Sequence, residues 1–223
     1  SQLRSLLFPG YFDEGDLGRE GLRYHTGHTL SQVRKGLTEQ VMRAICFRCT
    51  DPTRMRRCEG EAAEKVDQFL QSLPEIRASL VEDVKAAYRG DPAANSEEET
   101  VFSYPGLTAV TYHRMAHRLY QLEVPLLARI VAERSHSLTG IDIHPGASVG
   151  PGLFIDHGTG VVIGETAVIG RNVRIYQGVT LGARSFPLDA EGNPIKGQPR
   201  HPIVEDDVVI YSGATVLGRI TVG

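Results

Sequence analysis

The sequence has few cysteines and no long apolar or basic run, and each of these absences argues against a class of protein. Three cysteines in 223 residues, an odd number, do not suit a disulfide framework and favour a reducing compartment. No apolar stretch is long enough to span a bilayer, and no secretory signal pattern opens the sequence. The 24 Lys and Arg residues are interspersed with 27 Asp and Glu, for a net charge of −3, and they form no basic block. We therefore expect a cytoplasmic protein that binds neither nucleic acid nor a membrane.

The first part of the chain, residues 1–138, has apolar residues at helical spacing and is predicted to form an all-helical domain. Helices are predicted over residues 29–46, 73–90, 105–120 and 124–135. The acidic segment 95–99 is predicted to be a solvated loop. Cys46 and Cys49, with Cys58 downstream, lack the second closely spaced pair of a typical metal site, so we interpret them as core residues.

From about residue 139 onward, apolar residues recur every six positions instead. One column begins at Ile143, a second begins at Pro151 and contains His157, and a column of glycines runs beside them. The two apolar positions lie two residues apart and face the same side of a short strand, while glycine suits the corner that follows. Three such units make a triangular coil, and stacked coils bury the apolar columns. The pattern predicts a parallel β-helix over residues 139–223, of undetermined hand, and an α+β fold class for the chain.

The six-residue repeat is interrupted once. Residues 183–199 contain Pro, Gly and Asn without a period of six, so they are predicted to loop out of the coil. The period then resumes and stops at Gly223 in the middle of a repeat. Because solenoids generally need a capping segment, we expect the natural chain to continue.

The histidine in the apolar column is the main chemical signal. His157 is predicted to occupy an inward-facing position, and such a break in a strict pattern favours a functional role. Asp142 lies nearly one coil earlier, where its carboxylate could fix the tautomer of a general base. Asp156 should point the other way, and the guanidinium of Arg200, where the coil restarts, suits a carboxylate. This combination favours an amino-acid substrate.

Each of these residues also has a purely structural interpretation. His157 could be a core histidine, Asp142 a turn residue and Asp156 a solvated one. Arg200 and His201 could be polar residues at the end of a loop. In the same way, the default interpretation of Asp91 is the end of a helix.

Short motifs around these residues resemble those of one enzyme family. The matching segments are 89–92 (RGDP), 142–145 (DIHP), 156–160 (DHGTG), 164–167 (GETA), 178–182 (GVTLG) and 200–202 (RHP). They are similar to the motifs of serine O-acetyltransferases, which belong to the hexapeptide-repeat acyltransferases. The resemblance extends over about residues 73–223 and is most specific in the predicted β-helix.

The resemblance implies a fold, an assembly and a reaction. The β-helix would be left-handed, with homotrimers built through the coils and often dimers of trimers. The reaction would transfer an acetyl group from acetyl-CoA directly to L-serine, without a metal, to give O-acetylserine for cysteine biosynthesis. His157 would be the general base and Asp142 its partner. Asp91 and Asp156 would bind the substrate ammonium group and Arg200 its carboxylate, with His201 close by.

The sequence and the resemblance also suggest residues that bind acetyl-CoA and a protein partner. The segment 183–199 is longer than in the commonest bacterial form of the family and resembles a subgroup with the same insertion. Gly182, Ala183 and Ser212 are candidates for binding acetyl-CoA, because small residues leave room for its pantetheine arm. Many members bind O-acetylserine sulfhydrylase through a C-terminal tail that is absent here, so this partner is an expectation about the family.

Three alternatives remain open. A hexapeptide acetyltransferase for a sugar or another hydroxyl acceptor would not need residues for a zwitterion. A metal hydratase of the γ-carbonic anhydrase type would need three neutral imidazoles that converge on Zn²⁺ from adjacent subunits. His144, His157 and His201 are available for it, although the first two have opposite phase on the coil. A scaffold that only binds the sulfhydrylase would not need both Asp142 and His157.

Overall fold

The computed structural model of the chain describes residues 2–12, 18–47 and 51–223. These residues form seven helices, α1 (Gln2–Leu7), α2 (Gly18–Ile45), α3 (Pro52–Gln71), α4 (Leu73–Gly90), α5 (Glu97–Ser103), α6 (Pro105–Gln121) and α7 (Pro125–Thr139). Within the described ranges, no helix combines the length and apolar character that crossing a membrane requires.

Four of the helices correspond to predicted ones. The helices α4 and α6 begin at the predicted residues, whereas α2 begins well before residue 29, at Gly18. The predicted loop over residues 95–99 is wrong, because Ser96 caps α5. Its Oγ accepts a hydrogen bond from the backbone N–H of Glu99 at 3.2 Å, and the glutamates of the first turn complement the helix dipole.

One compact unit consists of Ser1–Arg77 and Leu122–Leu127, as far as they are described. Its buried core includes Val41, Ala62, Val66 and Val124. Cys58 is buried on α3, whereas Cys49 lies outside the described residues. All candidate site residues lie in the other unit.

The second compact unit, Ala78–Gln121 with Ala128–Gly223, contains a left-handed parallel β-helix. Its strands are β1 (Asp142–Ile143), β2 (Ser148–Val149), β3 (Phe154–Ile155), β4 (Val162–Ile163), β5 (Val168–Ile169), β6 (Arg174–Ile175), β7 (Thr180–Gly182), β8 (Ile203–Val204), β9 (Val209–Ile210), β10 (Thr215–Leu217) and β11 (Thr221–Val222). They form three parallel sheets, in the orders β1-β4-β7-β10, β2-β5-β8-β11 and β3-β6-β9. The predicted β-helix is therefore confirmed, with buried residues of successive coils paired between neighbouring strands.

The predicted inward position of His157 is wrong. Ile143 pairs with Ile163, and Ile163 pairs with Leu181, so the first coil is two residues longer than the second. The corner between β3 and β4 takes up the extra residues, and there His157 has a φ of 55° and a side chain that is 74% exposed. Counting along the sequence in steps of six does not reveal these two extra residues, because each strand has two inward-facing positions two residues apart. At this corner, a count in steps of six passes from one inward-facing position to the other and still meets apolar residues afterwards.

Residues 183–199 lie between β7 and β8, outside the strands of the coils. Part of this segment folds back on itself, with an antiparallel bridge between Leu188 and Pro194. The carboxylate of Asp189 accepts a hydrogen bond from the backbone N–H of Asn193 at 2.8 Å, which stabilises the turn. The insertion therefore has local structure of its own.

A buried ion pair, which we call the Asp83–Arg114 clamp, ties two helices to one corner of the β-helix. Asp83 on α4 accepts hydrogen bonds from Nε and Nη2 of Arg114 on α6 at 2.6 and 2.7 Å. The same carboxylate accepts the backbone N–H groups of Gly152 and Leu153, each at 2.9 Å. Arg114 also donates to two backbone carbonyls of this corner. Because these polar groups satisfy one another, the clamp fixes α4 and α6 next to β3.

Candidate active site

Residues 156–160 form the corner between β3 and β4, which the preceding coil supports. At Gly158, φ is 83° and a Cβ atom would lie 2.4 Å from Cδ1 of Ile141, so only glycine fits here. The corner therefore packs against the residue that immediately precedes Asp142. This close packing holds the exposed His157 at a defined place.

Asp142, the predicted partner of His157, does not contact it directly. Asp142 lies on β1 opposite Val162 of the neighbouring coil. Throughout the part of the chain that the structure describes, no ion pair within 4.0 Å joins Asp142 to His157. Asp156 is nearer, with its Oδ1 3.9 Å from Nε2 of His157. The role of Asp142 as the partner of the base stays a prediction.

Asp91 follows α4 directly and lies in the electrostatic environment of His157. Its Oδ2 accepts a hydrogen bond from the hydroxyl of Tyr104 at 2.6 Å, and its Oδ1 accepts one from the backbone N–H of Ala93 at 2.8 Å. These two hydrogen bonds lower the pKa of Asp91, and the charges of His157 and Arg174 act in the same direction. Asp91 is therefore held in its ionised form.

Tyr104 completes this group, and sequence reasoning missed it. It follows the last turn of α5, where its backbone N–H donates to the carbonyl of Thr100 at 3.2 Å. Burial and the carboxylate of Asp91 raise the pKa of its hydroxyl, and the charge of Asp156 also contributes. We call Asp91, Tyr104, Asp156 and His157 the Asp91 cluster. No sequence pattern points to Tyr104, because the contact depends on how α5 and α6 pack.

Arg200 belongs to a second group of polar side chains. Its Nη2 donates to Oε2 of Glu165 at 2.6 Å, and the hydroxyl of Tyr120 donates to Oε1 of the same carboxylate at 3.2 Å. Burial alone would raise the pKa of Glu165, but the hydrogen bond and charge of Arg200 outweigh it and lower that pKa. Glu165 thus holds the guanidinium of Arg200 in one orientation.

His201 is buried beneath this pair. A Cβ atom at Gly164 would lie 2.0 Å from Cδ2 of the His201 ring, so the glycine makes room for it. Its Nδ1 accepts the backbone N–H of Thr166 at 3.1 Å, and the Thr166 hydroxyl accepts the backbone N–H of Arg200 at 2.9 Å. Burial lowers the pKa of His201, which favours the neutral ring. We call Glu165, Arg200 and His201 the Arg200 cluster.

The two clusters lie at different corners of the β-helix within one chain. The Asp91 cluster is at the corner between β3 and β4. In the Arg200 cluster, Glu165 is at the corner between β4 and β5, and Arg200 lies just before β8. The structure thus brings Asp91, Asp156 and His157 together but does not add Arg200 and His201 to them. Asp142 contributes instead to the electrostatic environment of His144, together with Glu165 and Arg200.

The candidate acetyl-CoA residues are also divided between corners. Gly182 ends β7, and Ala183 begins the insertion. Ser212 lies between β9 and β10, at the same edge as His157 but further along the helix axis. A cavity of about 620 Å³ opens where the insertion faces the end of β10 and the segment that follows it, and its lining includes Arg184 and Arg219. This cavity has the positive charge that phosphate groups require.

No three His, Cys, Asp or Glu side chains among the described residues form a group that could bind a metal ion. His201 and His157 lie at different corners, as described above. The nitrogen Nδ1 of His144 accepts the backbone N–H of Gly146 at 2.9 Å. The three histidines that a metal hydratase would use therefore do not converge within one chain.

Comparison with known proteins identifies relatives that extend over much or nearly all of this chain. A scan against models of known protein families found no match. A Synechococcus elongatus protein named "Serine acetyltransferase, plasmid" is 58% identical over 225 residues, which cover 99% of this chain and 70% of the relative. The Mycobacterium tuberculosis serine acetyltransferase is 52% identical over 141 residues, which cover 63% of this chain and 58% of the relative.

Solved structures agree with these relatives. Entamoeba histolytica serine acetyltransferase 1, in complex with L-cysteine, has a TM-score of 0.85 and 40% identity, covering 99% of this chain and 76% of its own. Neisseria gonorrhoeae serine acetyltransferase, in complex with serine, has a TM-score of 0.63 and 30% identity, covering 100% of this chain and 84% of its own. The identity to the Synechococcus protein extends over nearly the whole chain and over more than two thirds of that relative. The chain therefore belongs to the serine acetyltransferase family.

Proposed function

We propose that this protein transfers the acetyl group of acetyl-CoA to the hydroxyl of L-serine and releases O-acetylserine and CoA. The observation that carries the proposal is the Asp91 cluster, in which an exposed imidazole lies among two carboxylates. An ammonium group needs the carboxylates, and an acceptor hydroxyl needs the base. Membership of the serine acetyltransferase family supports the same reaction. O-acetylserine would serve cysteine biosynthesis in the cytoplasm.

In the proposed mechanism, His157 acts as the general base. The neutral imidazole accepts the proton of the serine hydroxyl while the serine oxygen attacks the thioester carbon. The new C–O bond forms, the C–S bond breaks as the tetrahedral intermediate collapses, and the imidazolium returns the proton to the departing CoA sulfur. Asp142 would stabilise the imidazolium, and no acyl-enzyme is needed. Exposure of His157 at a fixed corner supports this role, because a ring facing the core could not reach a substrate.

We propose that serine binds between two copies of the chain. Asp91 and Asp156 of one copy would bind the ammonium group, and Arg200 of a neighbouring copy would bind the carboxylate, with His201 supporting Arg200. The separation of the two clusters on different corners supports this arrangement, since one chain alone does not bring them together. Three copies around an axis parallel to the coils would repeat the same contact three times. We therefore propose a homotrimer, which could pair into a dimer of trimers.

Acetyl-CoA would extend from His157 toward the basic cavity of a neighbouring copy. Gly182, Ala183 and Ser212 remain the candidates for contact with its pantetheine arm. Arg184 and Arg219 line the cavity beside the insertion and would meet the CoA phosphates. The product would pass to O-acetylserine sulfhydrylase, which we expect as a partner of the family.

The test is CoA release from acetyl-CoA with L-serine, run beside L-threonine, a sugar and no acceptor. Serine-dependent release supports the proposal, and release with the sugar but not with serine would favour a different hydroxyl acceptor. His157→Ala should lower turnover by about 10² or more while the oligomer and thermal midpoint stay unchanged. His136→Ala, an exposed histidine on α7, is the matched control and should keep full activity. Equal activity in the His157 variant would refute its role as the base.

A further inference from the structure

Both oxygens of the Asp91 carboxylate already accept one hydrogen bond each. The bond from the backbone N–H of Ala93, at 2.8 Å, is local and depends only on the turn that follows α4. The bond from the hydroxyl of Tyr104, at 2.6 Å, comes from a different part of the chain. A carboxylate oxygen has two acceptor sites, so each oxygen keeps one for a ligand. The Tyr104 bond decides how the carboxylate plane, and with it the two remaining sites, is oriented relative to the β-helix.

The position of Tyr104 is itself tightly fixed. Two residues later, Gly106 lies so close to β3 that a Cβ atom would be 2.0 Å from the carbonyl oxygen of Ile155. On the other side, a Cβ atom at Gly90 would be 2.6 Å from the ring of Phe154 on the same strand. Gly90 and Gly106, which flank the Asp91–Tyr104 contact in the sequence, therefore both pack against β3, the strand that leads into the corner with His157. The contact is built as a rigid unit with the base.

We propose that Tyr104 is a positioning residue that sets the selectivity of the site for a substrate ammonium group by orienting the Asp91 carboxylate. The inference rests on the proposed function, because it assigns Asp91 to the ammonium of serine. When the two free acceptor positions of the Asp91 carboxylate face the substrate, they accept hydrogen bonds from N–H donors. An acceptor substrate without an amino group would leave these sites unpaired, which costs binding energy.

The charges around the pair are compatible with this role. Glu99 and Asp156 contribute negative charge, Arg174 contributes positive charge, and His157 adds positive charge when its ring is protonated. The Tyr104 hydroxyl keeps its proton, since burial and Asp91 raise its pKa, and so it remains a donor. Loss of this donor would raise the pKa of Asp91 toward its ordinary value, because the Tyr104 hydrogen bond is the largest cause of the lowered pKa.

The experiment compares Tyr104→Phe with the wild type and with Tyr24→Phe, a change at an 81% exposed tyrosine on α2. The KM for L-serine should rise about tenfold in Tyr104→Phe, while kcat and the KM for acetyl-CoA change by less than about threefold. The pKa of Asp91, followed by an NMR titration of its carboxyl carbon, should rise toward the ordinary aspartate value. In a protein that already carries Asp91→Asn, Tyr104→Phe should have no further effect on serine binding, as measured by calorimetry. Tyr24→Phe should match the wild type in every measurement.

Each outcome separates this inference from the proposed function. An inactive wild type with serine would overturn the proposed function. An active wild type with an unchanged KM for serine in Tyr104→Phe would overturn only the role of Tyr104. A fall in thermal midpoint with both KM values raised together would also overturn it, because it would assign Tyr104 to folding. An effect that persists in the Asp91→Asn background would show that Tyr104 does not act through Asp91.

Discussion

Replacing Asp83 by alanine removes one half of the Asp83–Arg114 clamp. The guanidinium of Arg114, on a side chain only 8% exposed, loses its counter-ion, and the backbone N–H groups of Gly152 and Leu153 lose their acceptor. Removing one partner of a buried ion pair costs about 3–5 kcal/mol, and leaving a buried N–H unpaired costs about 1–3 kcal/mol. Arg114 keeps two carbonyl acceptors, so we expect the free energy of unfolding to fall by about 5 kcal/mol rather than by the full sum.

Urea unfolding followed by far-ultraviolet circular dichroism measures this loss, because the chain contains no tryptophan to report on it. All variants are compared at one protein concentration, since association would stabilise the folded state. The matched control is the double variant Asp83→Leu with Arg114→Met, which should recover at least about 2 kcal/mol because it leaves no unpaired buried charge. An Asp83→Ala variant within about 1 kcal/mol of the wild type would refute the view that the clamp fixes α4 and α6 to the β-helix.

Three further predictions concern the assembly, a close contact and acidity. Chains with His157→Ala and chains with Arg200→Ala, each inactive alone, should regain about a quarter of wild-type activity when co-assembled in equal amounts, and no recovery would exclude a site shared between copies. Gly106→Ala should lower the free energy of unfolding by about 1–3 kcal/mol, because its Cβ would meet backbone. Gly36→Ala on α2, with no atom within 4 Å of its Cβ, should instead raise it by about 0.5–1 kcal/mol. Hydrogen bonds lower the pKa of Asp91 in the folded protein, so its contribution to the free energy of unfolding is complete above the ordinary aspartate pKa. This contribution is lost as the pH falls through the lowered value. Asp91→Asn should therefore flatten the acid limb of a plot of unfolding free energy against pH, below about pH 4.

The repeating part of the fold was accessible from the sequence, because a hexapeptide period buries its apolar columns by stacking triangular coils, although the period does not fix their hand. Stacked coils bury the columns that begin near Ile143, and the interruption at residues 183–199 lies between strands. Local chemistry also located the ends of α4 and α6. The error at residues 95–99 has a physical reason as well, because Ser96 can cap a helix too short to show a period of its own.

The candidate site was accessible only in part. Motifs led to Asp91, Asp156 and His157, and the structure groups them. Counting residues in steps of six could not reveal that His157 faces outward. Two extra residues shift the count by the same distance that separates the two inward-facing positions of a strand, so the apolar pattern continues without a visible break. Tyr104 was out of reach, since its contact depends on tertiary packing that leaves no periodic trace.

The left-handed backbone of His157 has a consequence for how this protein can evolve. A residue with a side chain at a φ of 55° is held in a conformation that glycine adopts more easily, and the difference amounts to about 1 kcal/mol or more. If His157 is the base, selection for stability alone would favour its replacement, and only selection for turnover would retain it. A relative in which this corner carries glycine would then be a protein that has exchanged catalysis for stability.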